Sequence, residues 1–185
     1  MLFRSEVTIL DKNLDRLRFV DQIHQGRITT LASNRGAIER TIAEADLVIG
    51  AVLIAGARAP IVVSEDMVKT MKPGSVIVDV AVDQGGCIAT TRETSHVDPI
   101  YMQHGVVHYA VGNMPGAVPY TSTYALTNAT LPYQIELAQL GAHDAIKKSE
   151  ALRHGLNTAR GCITNEAVAH DLSREYVAPL SVFTR

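Results

Sequence analysis

Short apolar runs alternate with stretches of helical spacing through the first two thirds of this chain. Val7–Leu10 is an apolar run of strand length. Leu14, Leu17, Val20 and Ile23 then recur at helical spacing, which predicts a helix over Asn13–His24, stopped by Gly26. Arg27–Leu31, with β-branched Ile28, Thr29 and Thr30, predicts a second strand. Ile38, Ile42 and Ala45 mark the apolar face of a helix over Arg35–Glu44. Leu47–Val52 is a third strand, bounded by Asp46 and by a loop from Gly56 to Pro60. Ser64 opens another helix, with Glu65 and Asp66 in its first turn, where the helix dipole favours acids; Pro73 and Gly74 end it. Ser75–Val82 is the most buried-looking strand, and Val106–Val111 is the next.

Strands alternating with short helices predict an α/β fold, a parallel sheet with helices on both faces. The nearly continuous apolar character of Leu47–Val52 and Val76–Val82 predicts burial on both faces. The pattern changes after Pro119. Thr121–Leu140 predicts one long helix, capped by Thr121 or Ser122 and kinked by Pro132, which removes the bond to the Asn128 carbonyl. A helix over His143–His154, an extended Gly161–Thr164 and a short helix over Asn165–Leu172 follow. This tail is a helical appendage belonging to another domain or to an oligomer interface.

Composition narrows the function classes. Of 185 residues, 46% are hydrophobic and 19% charged, ordinary proportions for a globular protein. The net charge of -2 suggests no nucleic-acid partner. No apolar run reaches the roughly 20 residues of a membrane span, and the N-terminus has no signal-peptide pattern. Cys87 and Cys162 are the only cysteines, which fits a reducing cytoplasm better than a disulfide. The seven histidines show no H-E-x-x-H or paired Cys/His spacing, so no metal site is expected.

Four places can carry chemistry. Asp11 closes the first strand, where an acid can grip the adenosine ribose hydroxyls of NAD; an ordinary strand-to-helix turn is the alternative. Arg16 could approach the adenine side or simply be solvated. Ile49-Gly50-Ala51-Val52-Leu53 ends a strand in small residues, where ligands bind in open α/β sheets. The densest signal is Val76-Ile-Val-Asp-Val-Ala-Val-Asp-Gln-Gly-Gly-Cys87, a buried strand running out into Asp83, an amide and two glycines. Asp83 could orient an ammonium group, assist proton transfer or hold a nicotinamide ribose. An ordinary turn explains Gly85 and Gly86 but not two acids in one apolar strand. Finally, Asn113 in Val111-Gly-Asn-Met-Pro-Gly116 could hydrogen-bond a carboxamide or a carboxylate.

These segments, with Thr121-Ser-Thr-Tyr-Ala-Leu-Thr-Asn-Ala-Thr130, closely resemble the alanine dehydrogenase family over essentially the whole chain. The related transhydrogenase α subunit differs after the strand that precedes Asp83 and ranks second. The resemblance implies NAD-dependent interconversion of L-alanine with pyruvate and ammonia, in a two-domain, typically hexameric enzyme. It implies that Asp11 takes the ribose, with Arg16 and Ser33 nearby, and that Val52 and Leu53 line the nucleotide pocket. Val80, Ala81, Val82 and Asp83 would contact the nicotinamide end, with Asp83 catalytic. Arg92 and Val111, Gly112, Asn113 and Met114 would complete the NAD contacts. Residues 1–120 would then form a partial Rossmann domain, and 121–185 a linking helix with the returning part of a substrate domain.

One departure stands out. A G-x-G-x-x-G phosphate loop should precede the ribose acid by about 20 residues, yet ten residues precede Asp11 and none is glycine. The sheet is thus expected to lack its first strand and Gly-rich loop, and the isolated chain to be inactive. The family's catalytic histidine and substrate-binding lysine and arginine would lie in the half not present. Self-association, or a partner carrying that half, is expected. A non-catalytic nucleotide-binding or oligomerisation remnant is the competing reading.

Overall fold

The computed structural model describes residues 5–183, which divide into two compact units. One comprises the chain up to Val52 together with Pro60–Gly112; the other comprises Leu53–Ala59 and the chain from Asn113 onward.

The first unit holds strands β1 (Thr8–Asp11), β2 (Thr29–Ala32), β3 (Leu47–Gly50), β4 (Val76–Asp79), β5 (Ile100–Gln103) and β6 (Val106–Tyr109). Its helices are α1 (Leu14–His24), α2 (Arg35–Glu44) and α3 (Glu65–Lys69). Each helix begins on a residue able to accept its orphan N–H groups. Asn13 takes those of Asp15 and Arg16, Asn34 that of Ala37, and Ser64 that of Met67. Such caps explain why helix starts were legible to within a residue.

The α/β class holds, with one correction: the sheet is neither continuous nor wholly parallel. β1 pairs with β2 in parallel, from Thr8 opposite Thr29 to Asp11 opposite Ala32. A separate four-stranded sheet runs β3-β4-β6-β5, parallel except for β5 against β6. β1 and β3 therefore each have one edge without a strand partner among the described residues. β5 is a strand that the hydrophobic pattern does not predict. Its signal was the His104-Gly105 pair, both at positive φ (53° and 76°), a two-residue hairpin turn normally flagged by Asn-Gly.

Two strands end earlier than expected. The run through Val82 stops at Asp79 and enters a 3-10 turn over Val82–Gln84. The run through Val111 stops at Tyr109; Val111 makes only an isolated bridge to Thr94. The core of this unit is built on Val68, Ile77, Ile88, Val106 and Val111, each 1% exposed or less. Burying such a side chain contributes about 1.5–3 kcal/mol.

The second unit contains α4 (Pro119–Lys148), α5 (Glu150–Gly155), the short hairpin β7–β8 (Thr158–Ala159 and Cys162–Ile163) and α6 (Glu166–Asp171). No side chain caps α4; Val118 is its N-cap, and the Ser122 hydroxyl donates within the first turn to Pro115 and Val118 carbonyls. The break in α4 lies at Gly141 (φ 72°, ψ 166°), not at Pro132, which sits inside helical torsion angles. The helix expected over His143–His154 is divided at Ser149, which caps α5. Along α4, Tyr120, Tyr124, Leu126, Leu131, Tyr133, Ile135, Leu137 and Leu140 are all exposed. No helix among the described residues is long and apolar enough to cross a membrane.

Candidate functional site

The carboxyl end of β4 is the most elaborately built place in the first unit. Asp79, the last residue of β4, is fully buried. Its carboxyl oxygens accept the N–H groups of Ala81 and Cys87, both at 3.0 Å. The Cys87 thiol lies 3.5 Å away, and the Thr91 hydroxyl 2.6 Å away. Asp79 thereby ties the end of the strand to both sides of the turn that follows. The turn presents Asp83 at the surface. The two acids of this strand thus differ in role: the first shapes the loop and the second faces outward. Strand alternation would put Asp79 and Asp83, four residues apart, on one face; the difference arises because the strand ends at Asp79 and a 3-10 turn follows.

Two glycines let this loop close. A Cβ on Gly50 would lie 2.5 Å from Cys87 Sγ, and one on Gly86 would lie 2.8 Å from Thr91 Oγ1 and 3.0 Å from Asp79 Oδ2. Gly86 also has φ +77°, which L side chains rarely adopt. Burial, reinforced by the Asp79 charge, pushes the Cys87 thiol up to about 11, so it stays protonated and is no nucleophile. Nearby, Gln84 Oε1 is buried without a hydrogen-bond partner among the described residues.

Arg92 follows Thr91 and is exposed, its guanidinium 4.1 Å over the Tyr101 ring. Behind it, His108 is fully buried, with Nδ1 3.0 Å from the Val106 carbonyl and Nε2 2.7 Å from the Thr90 hydroxyl. The Val106 carbonyl takes the proton on Nδ1, which leaves Nε2 facing the Thr90 hydroxyl. Burial lowers its pKa.

At the ends of β1 and β2, Asp11 is half-buried and one carboxyl oxygen accepts the Asn13 N–H at 2.8 Å. The Ser33 N–H donates to the Asp11 carbonyl at 2.9 Å, so these residues are neighbours. A cavity of about 310 Å³ opens beside them, lined among others by Lys12, Ser33, Asn34, Arg35 and Ile38. Arg16 lies exposed on α1.

The remaining candidates sort by exposure. Val80 is about half exposed (48%), whereas the Ala81, Val82 and Val111 side chains are buried, so these three can offer a ligand only backbone atoms. Val52 and Gly112 are half-buried, and a Cβ on Gly112 would collide with the Glu93 carboxylate. Leu53, Asn113 and Met114 belong to the second unit; Leu53 is 69% exposed, and Asn113 adopts φ 53°. Among the described residues, no group of three or more His, Cys, Asp or Glu is placed to hold a metal ion.

A family profile described as "Alanine dehydrogenase/PNT, C-terminal domain" matches residues 2–166. The chain belongs to this family. It is 60% identical over 174 residues to alanine dehydrogenase of Bacillus subtilis (strain 168), covering 94% of this chain and 46% of that protein. Against alanine dehydrogenase of Staphylococcus haemolyticus (strain JCSC1435) the identity is 56% over 175 residues, 94% of this chain and 47% of that protein. A solved L-alanine dehydrogenase superimposes with a TM-score of 0.78 at 49% identity, covering 91% of this chain and 46% of that one. A transhydrogenase from Sinorhizobium meliloti is more distant, with TM-score 0.55, 28% identity and coverage of 65% and 33%. The chain spans about half the length of the alanine dehydrogenases it matches. The 185 residues contain no G-x-G-x-x-G.

Proposed function

We propose that this chain supplies most of the NAD pocket and one catalytic carboxylate of an NAD-dependent alanine dehydrogenase. The reaction is L-alanine, NAD and water to pyruvate, ammonia and NADH. The observation that carries this reading is the turn after β4, where buried Asp79 braces a loop that presents Asp83 at a strand's carboxyl end. Family membership and 60% identity to an alanine dehydrogenase support it.

The residues present fit part of the cofactor. One Asp11 carboxyl oxygen is engaged by Asn13, and the other suits a ribose hydroxyl. The adjoining cavity of about 310 Å³ suits one nucleoside end of the dinucleotide, not the whole. Gly50 and Gly86 keep side chains away from the end of β4. No Gly-rich loop in these 185 residues offers the pyrophosphate a cradle. The nicotinamide, when bound, supplies the hydride chemistry. Asp83 then orients the ammonium group of alanine or holds a proton during its oxidation. Asp11 fixes the ribose, and Arg92 donates to cofactor oxygens.

The open edges of β1 and β3 favour completion by a further parallel strand between the two ladders. The apolar exposure of α4 favours packing against another domain or copy. On this reading residues 1–120 form the partial NAD domain and 121–185 belong with a substrate domain. The isolated chain self-associates or binds a partner carrying the rest, in the cytoplasm, and by itself turns over no alanine.

Calorimetric titration with NADH tests the reading. Micromolar binding supports a residual NAD pocket. Absence of binding at millimolar ligand favours the competing reading, a structural or oligomerisation module. Alanine oxidation by pure, monodisperse chain would overturn the expected inactivity, and a strictly monomeric species in light scattering would overturn the self-association.

A further inference from the structure

We propose that Tyr101, on the edge strand β5, is a positioning residue that holds Arg92 ready for acceptor oxygens of the bound dinucleotide. The proposal rests on the NAD reading above for the ligand, and on the geometry of the first unit for the positioning.

Tyr101 holds Arg92 twice. Its ring carries the guanidinium at 4.1 Å from the centroid, and its hydroxyl accepts the Arg92 backbone N–H at 2.9 Å. The same hydroxyl donates to the Thr90 carbonyl at 2.8 Å, so its proton and one lone pair are both committed and its orientation is fixed. The His108 ring stacks on Tyr101 at 4.9 Å and 18° between planes. Two planar groups at these distances cannot share one face of a phenol ring, so guanidinium and imidazole take opposite faces. His108 is itself fixed through Nδ1 to Val106 and through Nε2 to the Thr90 hydroxyl.

The result is a column, His108–Tyr101–Arg92, rooted in the core and ending at the surface. A guanidinium seated 4.1 Å over the ring is held in one place, where its N–H groups can recognise phosphate or carboxylate oxygens. An aromatic ring with two torsion angles holds it at little entropic cost, whereas a free arginine must lose several rotamers on binding. The column also lies at the right end of the sheet. Thr91, beside Arg92 in sequence, lies 2.6 Å from Asp79 at the carboxyl end of β4.

The test uses this chain, NADH and three substitutions, with two readouts. By NMR, the Arg92 side-chain resonances are expected to be shifted by the ring in the wild type and in Tyr101→Phe, and to move to free-arginine positions in Tyr101→Leu. In NADH titrations, Tyr101→Leu and Arg92→Ala are each expected to weaken binding about fivefold, and the double variant no further. Tyr101→Phe keeps the ring, guards against misfolding of the leucine variant and is expected to fall between. Tyr101→Leu that folds and binds NADH as the wild type does, while Arg92→Ala binds weakly, overturns the proposal. So does a wild-type Arg92 spectrum indistinguishable from free arginine. Ring-shifted Arg92 together with no NADH binding by the wild type would instead sink the cofactor reading.

Discussion

Asp79 accepts the backbone N–H of Cys87 across eight residues, at 3.0 Å and fully buried. This bond, with those to Ala81 and Thr91, sets the shape of the loop that carries Asp83. Asp79→Ala would leave two buried N–H groups without their acceptor, while the Thr91 hydroxyl keeps the Ile88 carbonyl at 2.7 Å. A loss of about 3 kcal/mol is expected in urea or thermal unfolding. Asp79→Asn would recover only part of it, because one end of the amide turns a donor toward donors. A variant as stable as the wild type would show that the loop holds itself without the carboxylate.

Gly50 lies against Cys87 so closely that no side chain fits between them, with 2.5 Å from a built Cβ to Sγ. Gly50→Ala is expected to destabilise by about 1–3 kcal/mol. Cys87→Ala removes the sulfur. In the double variant part of the loss should return, since the Ile88 side chain and the Asp79 carboxyl, at 3.2 and 3.3 Å, remain. Additive losses in the double-mutant cycle would show that the contact with sulfur is not the cause.

The two thiols should react very differently. Cys87 is fully buried and its thiol is pushed up to about 11, whereas Cys162 is partly exposed. A thiol reagent at neutral pH is expected to modify Cys162 alone in the native protein and both residues after unfolding. Rapid native modification of Cys87, followed by peptide mapping, would mean that the Asp79 loop opens readily.

His108 should make stability depend on pH. Its pKa in the fold is depressed below the ordinary 6.5 by burial, so the unfolded chain binds a proton that the native chain does not. Stability is therefore complete above about 6.5 and falls as pH drops through and below that value. Melting temperatures across this range should show the loss. His108→Gln, which offers a donor and an acceptor without titrating, should flatten it relative to the wild type. Identical slopes in both proteins would place the pH dependence on other groups.

Much of the fold was legible because its determinants are local. Asn13, Asn34 and Ser64 satisfy N–H groups two or three residues away, so the starts of α1 to α3 can be read from short windows. The range of α2 is as the periodicity predicts, Arg35–Glu44. β5 is hard to read because its hairpin turns on His104-Gly105, a weak form of the usual turn signal, although its pairing with β6 is local. The helix expected over His143–His154 failed at Ser149, where a cap starts a new helix within an apolar pattern that looks continuous.

The sequence by itself determined the α/β class, the family, and the acids and loops at which chemistry is sought, because periodicity, caps and motif spacing are written along the chain. Only the tertiary structure separated the roles of Asp79 and Asp83. One is buried under four polar neighbours and the other faces solvent, and burial depends on what distant segments pack above a residue. Tertiary structure alone also joined Arg92, Tyr101 and His108 into a column, since β5 and β6 bring Tyr101 and His108 into register across the hairpin. It likewise divided the sheet, leaving β1 and β3 each with an open edge, because strand pairing is settled between segments and not within them.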